Sequence, residues 1–94
     1  MAKHPLDVPK DKKLSQEEIA YALRLSIIAE LDAVNLYLQL AASIDDESIK
    51  KVFLDIAKEE KTHVGEFMAL LKRIDPEQAS ELEKGEEEVR ELTG

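Results

Sequence analysis

The sequence predicts an all-α fold, an antiparallel two-helix hairpin followed by a short third helix, and three observations carry that expectation. Apolar residues recur at steps of three and four through two long stretches, the period of one helix face. No proline falls inside either stretch, and the 94 residues hold only three glycines and three prolines. Aromatic residues, at 4%, are too few for a β-sandwich core, while 44% hydrophobic with 36% charged residues suits long helices rather than a disordered chain. A single hairpin of this length buries too little apolar surface to be secure alone, so association with a second copy is expected.

The elements follow in order from their punctuation. Residues 1–13 contain two of the three prolines and no periodicity, which predicts a flexible arm with His4 exposed to solvent. The remainder, 14–94, reads as one helical domain. A helix over 15–42 begins at Ser15, whose hydroxyl can cap the first turn while Glu18 reaches back to complete a capping box. The segment Ser43 to Ser48 breaks it, and Asp45 or Asp46 can cap a second helix over 46–74. Asp75 and Pro76 stop that helix and start another, because proline fits a first helical turn and not an interior. The third helix is expected over 76–84 or longer, with Gly85 as its limit and the acidic EEEVREL run as a solvated turn or frayed tail. The short loop between the long helices makes them antiparallel neighbours.

Composition also bounds function. Without cysteine there are no thiolate ligands, no disulfides and no cysteine nucleophile, so a metal site would use oxygen and imidazole. A net charge of -8 repels nucleic acid and favours cations. No uninterrupted apolar run approaches the roughly 20 residues that span a bilayer, and the first residues lack the apolar core of a secretory signal. The expectation is a cytoplasmic protein without membrane or nucleic-acid partners.

Chemistry sits where the apolar pattern breaks. Leu23, Ile27, Glu30, Val34, Tyr37 and Ala41 form one stripe of the first helix. Ile49, Phe53, Ile56, Glu60, His63, Phe67, Leu70 and Ile74 form one stripe of the second. Each is apolar except near its middle, where Glu30, Glu60 and His63 fall on core positions. Burying an unpaired carboxylate costs several kcal/mol, so such groups persist with hydrogen bonds, an opposite charge or a metal ion. Arg24 and the lysines of the second helix lie off both stripes, which leaves a divalent cation as the best neutraliser. Glu60 and His63, three apart, share a helix face where one ion can take an oxygen and a nitrogen. Tyr37 follows Glu30 by two turns, placed to touch a ligand or simply to pack. Asp32, Glu59 and Glu66 flank the stripes as a solvated face or as an acidic entry path for cations.

A di-iron carboxylate bundle takes one Glu from each of two helices and a Glu-x-x-His from each of the other two. This chain holds half of that set, so two copies are needed to complete it. With ELDAVNLY, Glu30 to Tyr37, and EEKTH, Glu59 to His63, the sequence resembles the encapsulated ferritins, short ferritin-like cargo of encapsulin nanocompartments. The resemblance implies a ferritin-like four-helix bundle formed on dimerisation and a ring of five dimers. It implies a ferroxidase that uses oxygen to convert Fe(II) to Fe(III), with iron stored inside an encapsulin shell. By position, Glu30, Glu60 and His63 match the family's iron ligands, Tyr37 matches its tyrosine beside the site, and Glu60 suits the bridge between two ions. Ala29 and Leu36 depart from the acidic residue and the tryptophan usual at those places, while Asp32 keeps the outer acidic position. Two other readings stand beside this one: a metal-stabilised assembly module that binds zinc or manganese without turnover, and a coiled-coil scaffold whose buried polar groups specify register.

Overall fold

The computed structural model describes residues 13–94, so the expected arm and His4 lie almost entirely outside the described residues. Helix α1 runs Gln16–Ala42, α2 Glu47–Ile74 and α3 Pro76–Thr93, with no strand among the described residues. The ends are fixed by the residues that the sequence singles out. Ser15 Oγ accepts from the Glu18 amide at 3.1 Å and the Ser15 amide donates to Glu18 Oε1 at 3.0 Å, a complete capping box. Of the two candidate aspartates, Asp46 caps α2: its Oδ1 accepts from the amides of Ser48 and Ile49 at 2.9 and 3.1 Å.

Asp75 serves two helices at once. Its amide donates to Leu71 O at 2.9 Å, closing α2, and its Oδ1 accepts from the Gln78 amide at 3.0 Å, opening α3. Arg24 on α1 locks this corner, pairing through Nη2 with Asp75 and donating from Nε to Gln78 Oε1 at 3.1 Å. Gln16 adds a hydrogen bond from Nε2 to Ile74 O at 3.1 Å. Nearby, Tyr21 donates to Glu17, and that bond raises the phenol above its ordinary pKa. The corner therefore holds α3 through side chains from α1, although the α3 backbone approaches α2 alone.

Gly85 does not end α3, which continues as helix through Thr93. Glycine in a helix interior costs about 1 kcal/mol relative to alanine, a penalty that one position cannot turn into a stop. No α3 residue is buried.

The hairpin core is thin. Its buried residues are Ala20, Ile27, Val34 and Ala41 from α1 with Ala57 and Leu71 from α2, and three of these six are alanines that bury little area. Leu71 is the large one, and its burial contributes about 1.5–3 kcal/mol. The α1 stripe expected from sequence faces this core, but α2 is rotated from expectation. It packs through the adjacent stripe Phe53, Ala57, Glu60, Val64, Phe67, Leu71 and Ile74, which shares four positions with the predicted one. Ile49 and Leu70, at the edge of the predicted stripe, stay exposed. One face of α2 is thus closed by α1 and the neighbouring face is open.

The same holds for α1. An 18-residue window of this helix reaches a mean hydropathy of 1.3, enough by length and composition to cross a membrane, yet only 17% of that window is buried within the chain. Ile28, Leu31, Leu36 and Leu40 are all exposed. Two long helices with bare apolar faces are the surface of a chain that is stable when partnered.

Candidate metal centre

Glu30 reaches the centre from the middle of α1, and Glu60 and His63 from one face of α2. Their ligand atoms all lie within 4.8 Å of one another. His63 Nδ1 stands 3.4 Å from Glu30 Oε2 and 3.5 Å from Glu60 Oε2. The two carboxylates are 20% and 19% exposed and His63 is 43% exposed, so the cluster opens on its imidazole side. The placement follows from the register of α2: Glu60 belongs to both its stripes, whereas His63 belongs only to the open one. The cluster therefore sits at the rim of the hairpin core, facing the uncovered helix surfaces.

Glu30 Oε2 is shielded from solvent and has no hydrogen-bond partner. The approach of His63 satisfies an ion-pair distance without the geometry of a hydrogen bond, and it carries opposite charge only when the imidazole is protonated. No lysine or arginine pairs with the cluster among the described residues; Arg24, the one basic residue of α1, is committed to Asp75. An orphaned carboxylate oxygen beside a second carboxylate and an imidazole is a donor set of two hard oxygens and one nitrogen, which suits iron, manganese or zinc. The residues present fit a bound divalent metal.

Tyr37 is half-buried, and its ring lies against Phe53, with centroids 5.9 Å apart and planes tilted by 44°. Its hydroxyl makes no hydrogen bond among the described residues. Asp32, Glu59 and Glu66 are exposed and outside the cluster. The sequence marks Asp75 as a helix boundary but not as the partner of Arg24, nor Gln78 as the acceptor of the Arg24 Nε bond. The signal for the pair was present, since Arg24 is the one basic residue in α1 and Asp75 the residue between two helices.

A helical hairpin that gathers two carboxylates and an imidazole defines a class, and a family model described as Rubrerythrin matches residues 22–93. The chain is 57% identical over 91 residues to a ferritin-like-encapsulin shell fusion protein of Pyrococcus furiosus, covering 97% of this chain and 26% of that protein. It is 38% identical over 82 residues to the encapsulin nanocompartment cargo protein EncC of Myxococcus xanthus, covering 87% of this chain and 63% of that one. The crystal structure of an encapsulated ferritin domain from Pyrococcus furiosus superposes with a TM-score of 0.88 at 55% identity, covering 100% of this chain and 96% of that one. The chain belongs to the encapsulated ferritins, with a rubrerythrin-type, ferritin-like fold. It spans about a quarter of the first curated relative's length and just under two thirds of the second's.

Proposed function

We propose that two copies pair to complete a di-iron centre that oxidises Fe(II) to Fe(III) with dioxygen. The observation that carries this reading is the Glu30 carboxylate oxygen, buried without a partner beside Glu60 and His63. One chain supplies Glu30 and a Glu60-x-x-His63 pair, and a four-helix di-iron bundle takes two of each. The open stripe of α2 and the bare faces of α1 give the second copy its seat. Glu30, Glu60 and His63 would hold the iron, with Glu60 lying where both stripes meet. Carboxylates there offset the positive charge that grows when each Fe(II) gives up an electron. Tyr37, held by Phe53, borders the same α1 face as Glu30. Exposed Asp32, Glu59 and Glu66 draw cations toward the opening.

The names of the relatives support an encapsulin shell as the setting; a ring of five such dimers within that shell, in the cytoplasm, storing the ferric product, completes the reading. The deciding experiment is aerobic oxidation of Fe(II), followed by absorbance with and without the protein. Faster oxidation with protein, lost in Glu60→Ala, is expected. A rate equal to that of free iron, together with tight binding of zinc or manganese, would establish the non-catalytic assembly module instead.

A further inference from the structure

Helix α3 is tied to the rest of the chain at one corner. Its backbone approaches α2 alone, none of its residues is buried, and a single residue, Asp75, separates it from α2. The Asp75 backbone, with φ -130° and ψ 85°, lies outside the helical region, so α2 and α3 meet at an angle instead of continuing as one rod. The chain spans 48 × 46 × 24 Å, nearly as wide as it is long, because α3 stands out from the hairpin.

The direction of α3 rests on Arg24. Its guanidinium spans the link: Nη2 pairs with the Asp75 carboxylate, and Nε donates to Gln78 Oε1 at 3.1 Å. One planar group thus grips the linking residue and the first turn of α3 together, which sets rotation as well as distance. The Asp75 Oδ1 atom caps the Gln78 amide at 3.0 Å, and Gln16 holds the fixed side of the corner through Ile74 O.

The grip is open to its surroundings. A hollow of about 310 Å³ lies beside it, between Glu17, Tyr21, Arg24 and Asp75. The Arg24 and Asp75 side chains are 38% and 24% exposed, so water and salt reach the pair. The Debye length falls from about 10 Å at 0.1 M salt to about 3 Å at 1 M. Helix α3 is also a long lever: its 18 residues extend about 27 Å, and a turn of about 20° at Asp75 carries Leu92 through about 9 Å.

We propose that Arg24, Asp75 and Gln78 form a salt-sensitive hinge that sets the direction of α3. Paired, the guanidinium holds α3 at one angle. Screened or removed, it lets α3 turn about Asp75 as a rigid helix, while the hairpin stays as it is. The ionic strength around the chain thereby decides where the exposed Val89 and Leu92, at the far end of α3, come to stand. The hinge does not rest on the metal reading, since the corner and the Glu30, Glu60 and His63 cluster share no residue.

Distances between spin labels test it in the full-length, metal-free chain. Gln39→Cys and Glu91→Cys supply two label sites in a protein without cysteine, one on α1 and one near the end of α3. Dilution into unlabelled chain keeps each measured pair within one molecule. In low salt the distribution of distances should be narrow. Arg24→Ala should widen it by roughly twofold or more, and Arg24→Lys should widen it too, because an ammonium cannot grip Asp75 and Gln78 as a planar fork does. Salt at about 1 M should widen the parent distribution and leave that of Arg24→Ala unchanged. Circular dichroism shows whether α3 stays helical, so a broad distribution at full helicity reports turning and not melting. An unchanged width in Arg24→Ala, a parent distribution that salt does not widen, or an equal salt effect in Arg24→Ala would overturn the proposal. Loss of helicity in step with the widening would overturn it as well, by reducing the corner to a helix cap.

Discussion

Glu30 Oε2 and His63 Nδ1 face each other across the hairpin at 3.4 Å without forming a hydrogen bond. Two helices have brought a carboxylate and an imidazole together and left the gap between them unbridged by protein. From that gap come the first predictions.

Glu30→Ala, Glu60→Ala and His63→Ala should each remove most of the iron oxidation, while Glu66→Ala should change it less. Each of the first three takes one donor from a set of three, and Glu66 alters only the field outside it. Initial rates of Fe(II) oxidation at matched protein concentration make the comparison. Full activity in Glu60→Ala would refute the site.

Replacing Glu30 by leucine should abolish oxidation and preserve or raise the stability of the metal-free protein. The carboxylate is mostly buried and unpaired, and exchanging such a group for a packed apolar one is often neutral or stabilising by roughly 1–4 kcal/mol. Thermal unfolding in chelator reads this out. A clear drop in Tm would identify Glu30 as part of a structural polar network.

Iron should also change the mass of the protein. Metal-free chain should be largely monomer or dimer, and Fe(II) should drive it to larger assemblies, because a ligand bound only in the assembled state stabilises that state. Native mass spectrometry with iron and with chelator gives the answer, and identical masses would remove the coupling.

The α2–α3 corner supplies a prediction without metal. Asp75→Ala should loosen α3 by about 1 kcal/mol through loss of its cap, and Asp75→Asn should retain most of that cap while losing the Arg24 pair. The ion pair itself contributes little, since Arg24 is partly exposed and solvent screens it. Hydrogen exchange of the α3 amides separates the two variants.

Gly85→Ala should in turn stabilise α3 by about 1 kcal/mol, because nothing lies within 4 Å of the added carbon and the residue is helical. Increased helicity by circular dichroism is the expected result.

The helix ends were legible in the sequence because capping is local: Ser15, Asp46 and Asp75 act on amides two or three residues away. So was the cluster, since Glu30, Glu60 and His63 interrupt otherwise apolar stripes. The rotation of α2 was not. Its stripes through Ala57 and through His63 share Phe53, Glu60, Phe67 and Ile74, and both obey the same period. Which one meets α1 depends on close packing around Ala57 and Leu71, a property of two helices together. The extension of α3 past Gly85 stayed open in the sequence, because one unfavourable residue can look like an end even when the flanking residues are good helix formers.

The small hairpin core bears on the life of a newly made chain. With so few large residues enclosed, the rate at which functional protein appears should rise with the square of chain concentration, as a meeting of two chains becomes part of folding itself. A subunit made in excess would keep its leucines and isoleucines in view of chaperones and proteases. Surveillance of unfolded protein would then act on any chain that has found no partner, and so set how many unpaired subunits the cell retains.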